Sequence, residues 1–509
     1  MKRTFIIHPF VFALFPILAF LAHNIKELSV NVIIFPSMII LSLTFISWVL
    51  ISISIKDTKK AGLIVSLSIM MFFSYGHFIN PIIDFKLYGI LIGRHVYFLP
   101  IWSMIIIGGI YLIVKTNKNF YIFTRRLNIV SVFLIMISLI QIGVYEIKTR
   151  GLRDYSNKDR IIVEEKFILK KGVVLRDIYY IIYDAYASNK TLKDYYNYDN
   201  SGFTEYLTEK GFYVAYDSRA NYPYTFLSLA SSLNMKYLNY LTQKLGEDST
   251  DRTPVIDMIK NNKVTRILKA MGYKYIHFGS WWEPTRVSKY ADINVNYGLP
   301  FSEFFTKLFI NAMIYPVINK YQKEVVHRKR VLYKFERLGE IPEIEGPKFI
   351  FAHMLIPHRP FVFGKNGESL TRLEVRRRSE DDNYLNQLIF VTKKIELLVS
   401  NILSKSKIPP IIIIQSDEGT VGDESVVDEN GFLIERAIRK KIGIINAYYL
   451  PNVKKDILYS SISPVNTFRV IFNNYFNEDY ELLKDESYIL PQIYDKPYKF
   501  VRVTDVGRK

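Results

Sequence analysis

Two adjacent carboxylates, Asp417 and Glu418, follow four isoleucines in the segment IIIIQSDEGT, residues 411–420. The isoleucine run predicts a buried strand, so the turn after it is expected to be partly buried as well. Two ionised carboxylates close together in a low-dielectric environment are costly unless a cation lies near them. The pattern therefore predicts that Asp417 and Glu418 bind a divalent metal ion.

Two further oxygen-bearing residues follow other predicted elements. Asp184 ends the apolar run IYYIIYD, where a lone aspartate is more often a turn residue than a metal ligand. Thr225 follows Pro223 at a predicted helix start, where threonine is most often a cap. The amides of a helix start also favour a phosphate, so Thr225 is a candidate nucleophile. Together with the two carboxylates, these residues form an all-oxygen set that suits Mg²⁺ or Mn²⁺ better than Zn²⁺.

The segment FAHMLIPHRPF carries two histidines with different expected roles. His353 lies inside the apolar strand, and we interpret it as a hydrogen-bonded core or edge histidine. His358 lies past the strand end and is a candidate proton donor to a leaving oxygen, or a phosphate ligand. Arg359 beside it either binds the same phosphate or is a surface charge.

The elements that carry these residues alternate between apolar strands and helices over the second part of the chain. This alternation predicts an α/β sheet covered on both faces, in which ligands bind beyond the carboxyl ends of the strands. Asp184, His358, Asp417 and Glu418 all lie just past predicted strand ends. We therefore expect them to converge on one site.

The first part of the chain is far more apolar. Five stretches approach the length of about 20 residues that spans a bilayer: residues 5–22, 30–53, 61–79, 96–114 and 127–144. The basic loops alternate, which predicts a cytoplasmic N-terminus and, after five spans, a C-terminal part outside the membrane. We expect a transmembrane domain at residues 1–147, a juxtamembrane linker at 148–175 and an extracytoplasmic domain at 176–509.

Composition excludes several classes of site. The 509 residues include no cysteine, which rules out disulfides, thiolate metal sites and a cysteine nucleophile. The net charge of +19 is scattered or lies at membrane boundaries, without a recognisable nucleic-acid module. A membrane surface or an anionic phosphate substrate explains this charge better, and we expect no nucleic-acid partner.

Taken together, these segments resemble the alkaline phosphatase and sulfatase superfamily, and most closely its membrane-anchored branch of lipoteichoic acid synthases and phosphoethanolamine transferases. In this resemblance, Asp184 is a metal ligand and Thr225 of TFLS is the nucleophile that also touches the metal. His358 of PHRPF faces the substrate, and SDEG stands where the family has Ser-Asp-His-Gly. Glu418 thus replaces a histidine, and no histidine follows His358 in the chain. The resemblance therefore implies one metal ion or a degenerate site.

The resemblance implies a bacterial inner-membrane transferase with a sulfatase-like α/β/α sandwich domain. It would move phosphoethanolamine or phosphoglycerol from a phospholipid donor to a cell-surface glycan or lipid through a phospho-threonine at Thr225. A sulfatase-like ester hydrolase is the first alternative, although no Cys/Ser-x-Pro-x-Arg pattern for an ordinary sulfatase lies near Thr225. A non-catalytic protein of envelope assembly is the second alternative, suggested by Glu418.

Overall fold

The computed structural model describes residues 5–28, 30–83, 85–88, 90–164, 172–297, 303–316, 325–420, 425–430, 432–491 and 496–506. The chain divides into two compact units. The first comprises Met1–Arg153 and Pro300–Tyr321, and the second comprises Asp154–Leu299 and Gln322–Lys509. The described residues 303–316 fall in the first unit, and the domain bounds 1–147, 148–175 and 176–509 stay a prediction.

The first unit is mainly helical. Its elements are α1 (His8–His23), α2 (Ile34–Ile55), α3 (Thr58–Ile79), the short antiparallel pair β1 (Lys86–Leu87) and β2 (Ile90–Leu91), α4 (His95–Lys115), the part of α5 (Tyr121–Glu164) up to Arg153, and α12 (Glu303–Leu308). The Asp57 side chain caps α3 by accepting the amides of Lys59 and Lys60. The helix α5 continues past the expected end of the fifth span, so the predicted linker at 148–175 is helical up to Glu164.

Among the described residues of this unit, four helices are long and apolar enough to cross a membrane. They lie at Val30–Ile55, Thr58–Ile82, His95–Lys115 and Tyr121–Thr149. The first predicted span corresponds to α1, which is apolar but has only 16 residues. The membrane character of the N-terminal part is thus borne out, while the count of five spans stays a prediction.

The second unit is built on a mixed seven-stranded sheet with the order β4-β9-β8-β3-β7-β5-β6. Its strands are β3 (Ile178–Tyr183), β4 (Tyr213–Val214), β5 (Lys274–Phe278), β6 (Ile293–Val295), β7 (Lys348–Met354), β8 (Ile411–Gln415) and β9 (Asn446–Tyr449). The strands β8, β3, β7, β5 and β6 pair in parallel, and β9 pairs antiparallel with both β8 and β4. A second, two-stranded antiparallel sheet joins β10 (Tyr488–Ile489) and β11 (Val501–Arg502).

The helices of this unit are α6 (Asn189–Tyr196), α7 (Ser201–Glu209), α8 (Thr225–Asn234), α9 (Tyr240–Leu245), α10 (Thr253–Lys260), α11 (Lys263–Ala270), α13 (His327–Glu340), α14 (Arg372–Arg377), α15 (Glu380–Lys405), α16 (Glu435–Ile442) and α17 (Thr467–Phe476).

The continuous apolar strands make two cores possible, because successive side chains point to opposite faces. Ile178, Tyr180 and Ile182 of β3 pack with residues of α8, α10, α11 and α17. Tyr179 and Ile181 pack with residues of α6, α7, α13 and α15, so helices pack against both faces of β3.

The register of the central strands aligns the ends that carry the predicted site. Ile182 of β3 lies opposite His353 of β7 and opposite Gln415 of β8. Asp184 follows β3 by one residue, and Asp417 follows β8 by two, so the two acids leave neighbouring strands at the same edge. Parallel pairing therefore produces the convergence that the sequence predicted.

Candidate metal centre and active site

The turn after β8 is held by its own serine. The Ser416 hydroxyl accepts a hydrogen bond from the Tyr186 amide at 2.9 Å and donates one to the Glu418 carbonyl at 2.6 Å. These contacts join the turn after β8 to the turn after β3, because Tyr186 lies two residues beyond Asp184. The side chains of Asp184 and Asp417 are buried as a result.

Gly419, the last residue of the SDEG segment, lies where there is no room for a side chain. A Cβ at this position would lie 2.0 Å from the Lys440 carbonyl oxygen. The missing side chain lets the Gly419 amide donate to the Lys441 carbonyl at 2.8 Å and the Thr420 amide donate to the Lys440 carbonyl at 2.9 Å. This close backbone approach brings the end of α16 beside the acidic turn.

Two groups of potential metal ligands meet at Asp184. One contains Asp184, His353 and Asp417, and the other contains Asp184, His358 and Glu418. Within each group, the candidate ligand atoms all lie within 4.8 Å of one another. The spacing is short enough for a single ion to reach one ligand atom from each residue.

The polar atoms of the first group lack ordinary partners among the described residues. Asp184 Oδ1, both carboxylate oxygens of Asp417 and His353 Nε2 are buried without a hydrogen bond. His353 Nε2 lies 3.5 Å from Asp184 Oδ2, beyond a normal hydrogen-bond distance. Buried polar atoms are rarely left unpaired, so this concentration of oxygen and nitrogen acceptors fits a cation that would bind them.

The carboxyl pKa values reflect this crowding. Burial, together with the charges of Asp184 and Glu418, raises the pKa of Asp417 well above its usual range. Burial also raises the pKa of Glu418, against the opposing charge of Lys441. For Asp184, burial is outweighed by His358 and His353, which hold the pKa of this carboxyl below its usual value. A bound cation would allow all three groups to ionise.

Lys441 supplies a positive charge from the chain itself. Its Nζ lies 3.0 Å from Glu418 Oε2, with side chains 16% and 7% exposed, respectively. Although burial disfavours the ammonium, the charge of Glu418 raises the pKa of Lys441. The same ammonium lies 5.3 Å from the centre of the Tyr224 ring, directly before Thr225.

Thr225 is the first residue of α8, as the sequence predicted. Tyr224 before it is extended, and no side chain caps this helix start. The Thr225 hydroxyl lies close enough to Asp417 to lower the pKa of that carboxyl, although neither Asp417 oxygen has a hydrogen bond of ordinary geometry within the described chain. The Thr225 hydroxyl at the start of α8 therefore lies beside the acidic cluster.

His353 is held in place by a chain of buried polar groups. Its Nδ1 lies 2.9 Å from Thr285 Oγ1, and the Thr285 carbonyl lies 2.9 Å from His277 Nε2. The Lys334 ammonium donates to the His353 carbonyl at 2.7 Å. The Nδ1 contact orients the ring so that Nε2 faces Asp184, which is how proteins commonly orient a metal-binding histidine.

His358 and Arg359 diverge after β7. The His358 amide donates to the Asp184 carbonyl at 3.1 Å, and the His358 side chain joins the second group of candidate ligands. Arg359 instead forms an ion pair with Glu380 at the start of α15. A role for Arg359 in substrate binding thus stays a prediction.

The structure brings Asp184, His358, Asp417 and Glu418 together and puts Thr225 beside them. Sequence reasoning had interpreted His353 as a core residue, because a histidine inside an apolar strand carries no signal of its own. The structure does bury His353 fully within β7, and in addition it turns the ring nitrogen Nε2 toward Asp184. Lys441 was missed entirely, because only the folded chain brings α16 beside the acidic turn.

No protein-family model matches the chain, and neither does any curated protein. Solved structures that resemble it include the C-terminal periplasmic domain of EcEptC from Escherichia coli, at 14% identity and a TM-score of 0.44, covering 67% of this chain and 96% of that one. Another is the integral membrane protein lipooligosaccharide phosphoethanolamine transferase A from Neisseria meningitidis, at 13% identity and a TM-score of 0.39, covering 92% and 95%. A Bacteroides thetaiotaomicron protein of glycosaminoglycan metabolism matches at 12% identity and a TM-score of 0.39, covering 62% and 80%. The structural neighbours are phosphoethanolamine transferases and sulfatases, members of the superfamily that the motifs resemble.

Proposed function

We propose that this protein is a metal-dependent phospho-group transferase of a bacterial cytoplasmic membrane, with its second unit on the outer side. The donor would be a phospholipid such as phosphatidylethanolamine or phosphatidylglycerol, and the acceptor a hydroxyl on a cell-surface glycan or lipid. Five membrane spans and an α/β/α sandwich of the sulfatase type complete the proposal. The main support is the Thr225 hydroxyl at the start of α8 beside the buried Asp417, whose two carboxylate oxygens have no hydrogen bond among the described residues.

One divalent metal ion would be held by Asp184, Asp417 and His353, with Thr225 and Glu418 as further candidate ligands. The set mixes oxygen with histidine nitrogen, so the oxygen-only reason for preferring Mn²⁺ or Mg²⁺ over Zn²⁺ no longer holds, and all three remain candidates. When bound, the ion would act as a Lewis acid that lowers the pKa of a hydroxyl and offsets charge on phosphoryl oxygens.

In the first half of the reaction, Thr225 Oγ attacks the phosphorus of the donor. The bond between Thr225 Oγ and phosphorus forms, and the bond between phosphorus and the diacylglycerol oxygen breaks. Asp417, which lies beside the Thr225 hydroxyl, accepts the Thr225 proton. His358 gives a proton to the departing lipid oxygen.

In the second half, the acceptor hydroxyl attacks the phosphorus held on Thr225. The acceptor proton returns to His358, the bond from phosphorus to Thr225 Oγ breaks, and Asp417 returns the proton to Thr225. The amides at the start of α8 would stabilise the phosphoryl oxygens in both halves. Arg359 is a further candidate phosphate ligand if it leaves its ion pair with Glu380.

A transfer assay tests this proposal. The full chain in nanodiscs would be given phosphatidylethanolamine with a labelled headgroup and a hydroxyl-bearing glycolipid. We expect labelled product from the wild type, none from Thr225→Ala, and a reduced rate from Thr225→Ser, which keeps the hydroxyl. Normal transfer by Thr225→Ala would contradict the proposal. Label released only to water would instead indicate the hydrolase.

A non-catalytic role in envelope assembly is the second candidate, favoured by the Lys441–Glu418 ion pair. The Lys441 ammonium offsets the negative charge of Glu418 without any metal ion. Metal analysis of the purified full chain distinguishes the two candidates. An enzyme should hold about one ion per chain after equilibration with Zn²⁺ or Mn²⁺, whereas a protein that has lost the chemistry should hold none.

A further inference from the structure

A cavity of the second unit lies beside the candidate metal centre. Its described walls come from three segments, residues 188–195, 216–219 and 439–443, together with Ser461. Its volume is about 350 Å³, within the range of roughly 300–1,000 Å³ that small-molecule sites occupy. The cavity therefore has room for a small ligand, and none of its described wall residues is a candidate metal ligand.

Sheet topology puts this cavity at the edge of the sheet that also carries the acidic cluster. Because β9 pairs antiparallel with both β4 and β8, these last two strands end at the same edge. The three wall segments follow β3, follow β4 and precede β9, respectively. Ligands of α/β sheets bind beyond the carboxyl ends of the strands, so the cavity lies where a ligand is expected.

The same three segments connect the cavity to the proposed active site. The first begins four residues after Asp184, the second ends six residues before Thr225, and the third contains Lys441. The Ser188 amide donates to the Gly443 carbonyl at 3.1 Å, which joins the first segment to the third. A ligand in the cavity would therefore contact the backbone segments that position the proposed active site.

Several polar groups of the cavity wall are already paired within the protein. Ser218 Oγ donates to the Ile462 carbonyl at 2.7 Å, and Arg439 Nε donates to Glu435 Oε1 at 2.9 Å. The Arg219 guanidinium donates to two backbone carbonyls, at 2.7 and 3.2 Å. These contacts hold the wall in place before any ligand binds, which reduces the ordering cost of binding.

Other polar groups of the wall are available to a ligand. Lys190 and Asp194 lie four residues apart in α6, so their side chains share one face of this helix. Within the described part of the chain, neither side chain forms a hydrogen bond or an ion pair. Asp217 uses one carboxylate oxygen to accept from Ser460 Oγ at 2.6 Å, and Tyr216 is 51% exposed. The wall thus presents a donor, acceptors and an aromatic ring.

The balance of charge favours a neutral ligand that is rich in hydroxyls. With Arg439 paired to its glutamate, Lys190 and Arg219 balance Asp194 and Asp217. A phosphate or sulfate group would meet two carboxylates in this cavity, and like charges at close range are costly. Sugar hydroxyls both donate and accept hydrogen bonds, so they match a wall that offers carboxylates and an ammonium together.

We propose that this cavity binds a sugar ring of the acceptor. Asp194 and Asp217 accept hydrogen bonds from its hydroxyls, and Lys190 donates to one of its oxygens. The Tyr216 ring packs against the apolar face of the sugar. Resting on the proposed function, the assignment makes the acceptor a glycan or glycolipid rather than a lipid alcohol.

Separate measurement of the two half-reactions tests this role. The full chain in nanodiscs would receive phosphatidylethanolamine as donor and either diglucosyl- or digalactosyl-diacylglycerol as acceptor. In Asp194→Asn and Tyr216→Ala, we expect the KM for the glycolipid to rise roughly tenfold or more, because contacts to the sugar are lost. Both side chains are exposed, so neither change threatens folding. Adduct formation on Thr225 without acceptor should stay at the wild-type rate.

A matched control and two contrary results make this test decisive. Glu209→Gln changes an exposed carboxylate of α7 outside the cavity and should keep the wild-type KM. A wild-type KM for the glycolipid in both cavity variants would overturn the proposed role. An equal loss in adduct formation would also overturn it, because the two residues would then serve the first half-reaction.

Protection of a single cysteine tests the site without any assumption about activity. The chain contains no cysteine, so Ser461→Cys gives one thiol in the cavity wall, and Ser404→Cys gives an exposed control thiol on α15. We expect iodoacetamide to modify Ser461→Cys several-fold more slowly when the nanodisc contains either glycolipid in place of diacylglycerol. Ser404→Cys should react at the same rate in every nanodisc.

Equal alkylation rates of Ser461→Cys in all nanodiscs would overturn the sugar site. Equal slowing of Ser404→Cys would do the same, because the protection would then not come from the cavity. If the wild type transfers nothing, the proposed function fails, while the alkylation rates still decide whether the cavity binds sugar.

Discussion

Lys441 Nζ lies 3.0 Å from Glu418 Oε2, where the sequence predicted that a metal ion would separate two adjacent carboxylates. Part of the required positive charge therefore comes from the chain itself. The negative charge of Glu418 is offset by Lys441, while both oxygens of Asp417 lack hydrogen-bond partners among the described residues. This division of charge supports the expectation of one metal ion at Asp184 and Asp417.

The Lys441–Glu418 pair predicts non-additive losses of stability. Removing either charge leaves the other buried and unpaired, so Lys441→Met and Glu418→Gln should each lower the free energy of unfolding by about 3 kcal/mol. The double variant should lose less than the sum of the two. Chemical denaturation of the metal-free protein measures the free energy of unfolding of the two single variants and the double variant. If the loss in the double variant equals the sum of the two single losses, the two side chains do not interact.

Thr285 is expected to act through His353. Its hydroxyl lies 2.9 Å from His353 Nδ1, and the loss of such an orienting contact typically lowers metal affinity by about 10- to 100-fold. Thr285→Val should therefore weaken binding of Zn²⁺ in calorimetric titration, whereas Thr285→Ser should retain most of it. Unchanged affinity in the valine variant would exclude His353 as an oriented ligand.

Gly419 is predicted to tolerate no side chain. A Cβ would lie 2.0 Å from the Lys440 carbonyl, so Gly419→Ala must displace backbone and should lower the free energy of unfolding by about 2 kcal/mol or more. Gly202 in α7 is a matched control with open space around it, and Gly202→Ala should be neutral or stabilise by up to about 1 kcal/mol. Equal effects of the two changes would contradict the close approach of α16 to the acidic turn.

Removal of metal should destabilise the protein. Because a ligand that binds only the folded state stabilises it, a metal ion at about 100 times its Kd contributes about 2.7 kcal/mol. Chelation should therefore lower the thermal midpoint of the wild type. It should not change the thermal midpoints of Asp184→Asn and Asp417→Asn. The exposed Glu205 offers a control, since Glu205→Gln should respond to chelation like the wild type.

The sequence contains enough information to predict the sheet and most of the acidic site. The apolar runs at β3, β7 and β8 are central strands because they are apolar on both faces, and their polar continuations must meet at one edge. The start of α8 at Thr225 follows from Pro223, two residues earlier. These features depend on local patterns that a single sequence carries.

The remaining features depend on tertiary contacts. In the sequence, His353 cannot be distinguished from any other histidine in an apolar strand. Only the folded structure shows that its ring lies beside Thr285 and Asp184. Lys441 reaches Glu418 only because Gly419 lets two backbones approach. The grouping of residues 303–316 with the N-terminal unit likewise reflects packing. No periodicity or motif reports contacts between residues so distant along the chain.

We propose that Thr225 carries the transferred group. Mass spectrometry of the full chain after incubation with phosphatidylethanolamine, without acceptor and followed by an acid quench, would detect that group. We expect a phosphoethanolamine adduct on the peptide that contains Thr225, which disappears when acceptor is added. Turnover to product by the wild-type protein, with no adduct at Thr225 under any quench, would contradict the proposal.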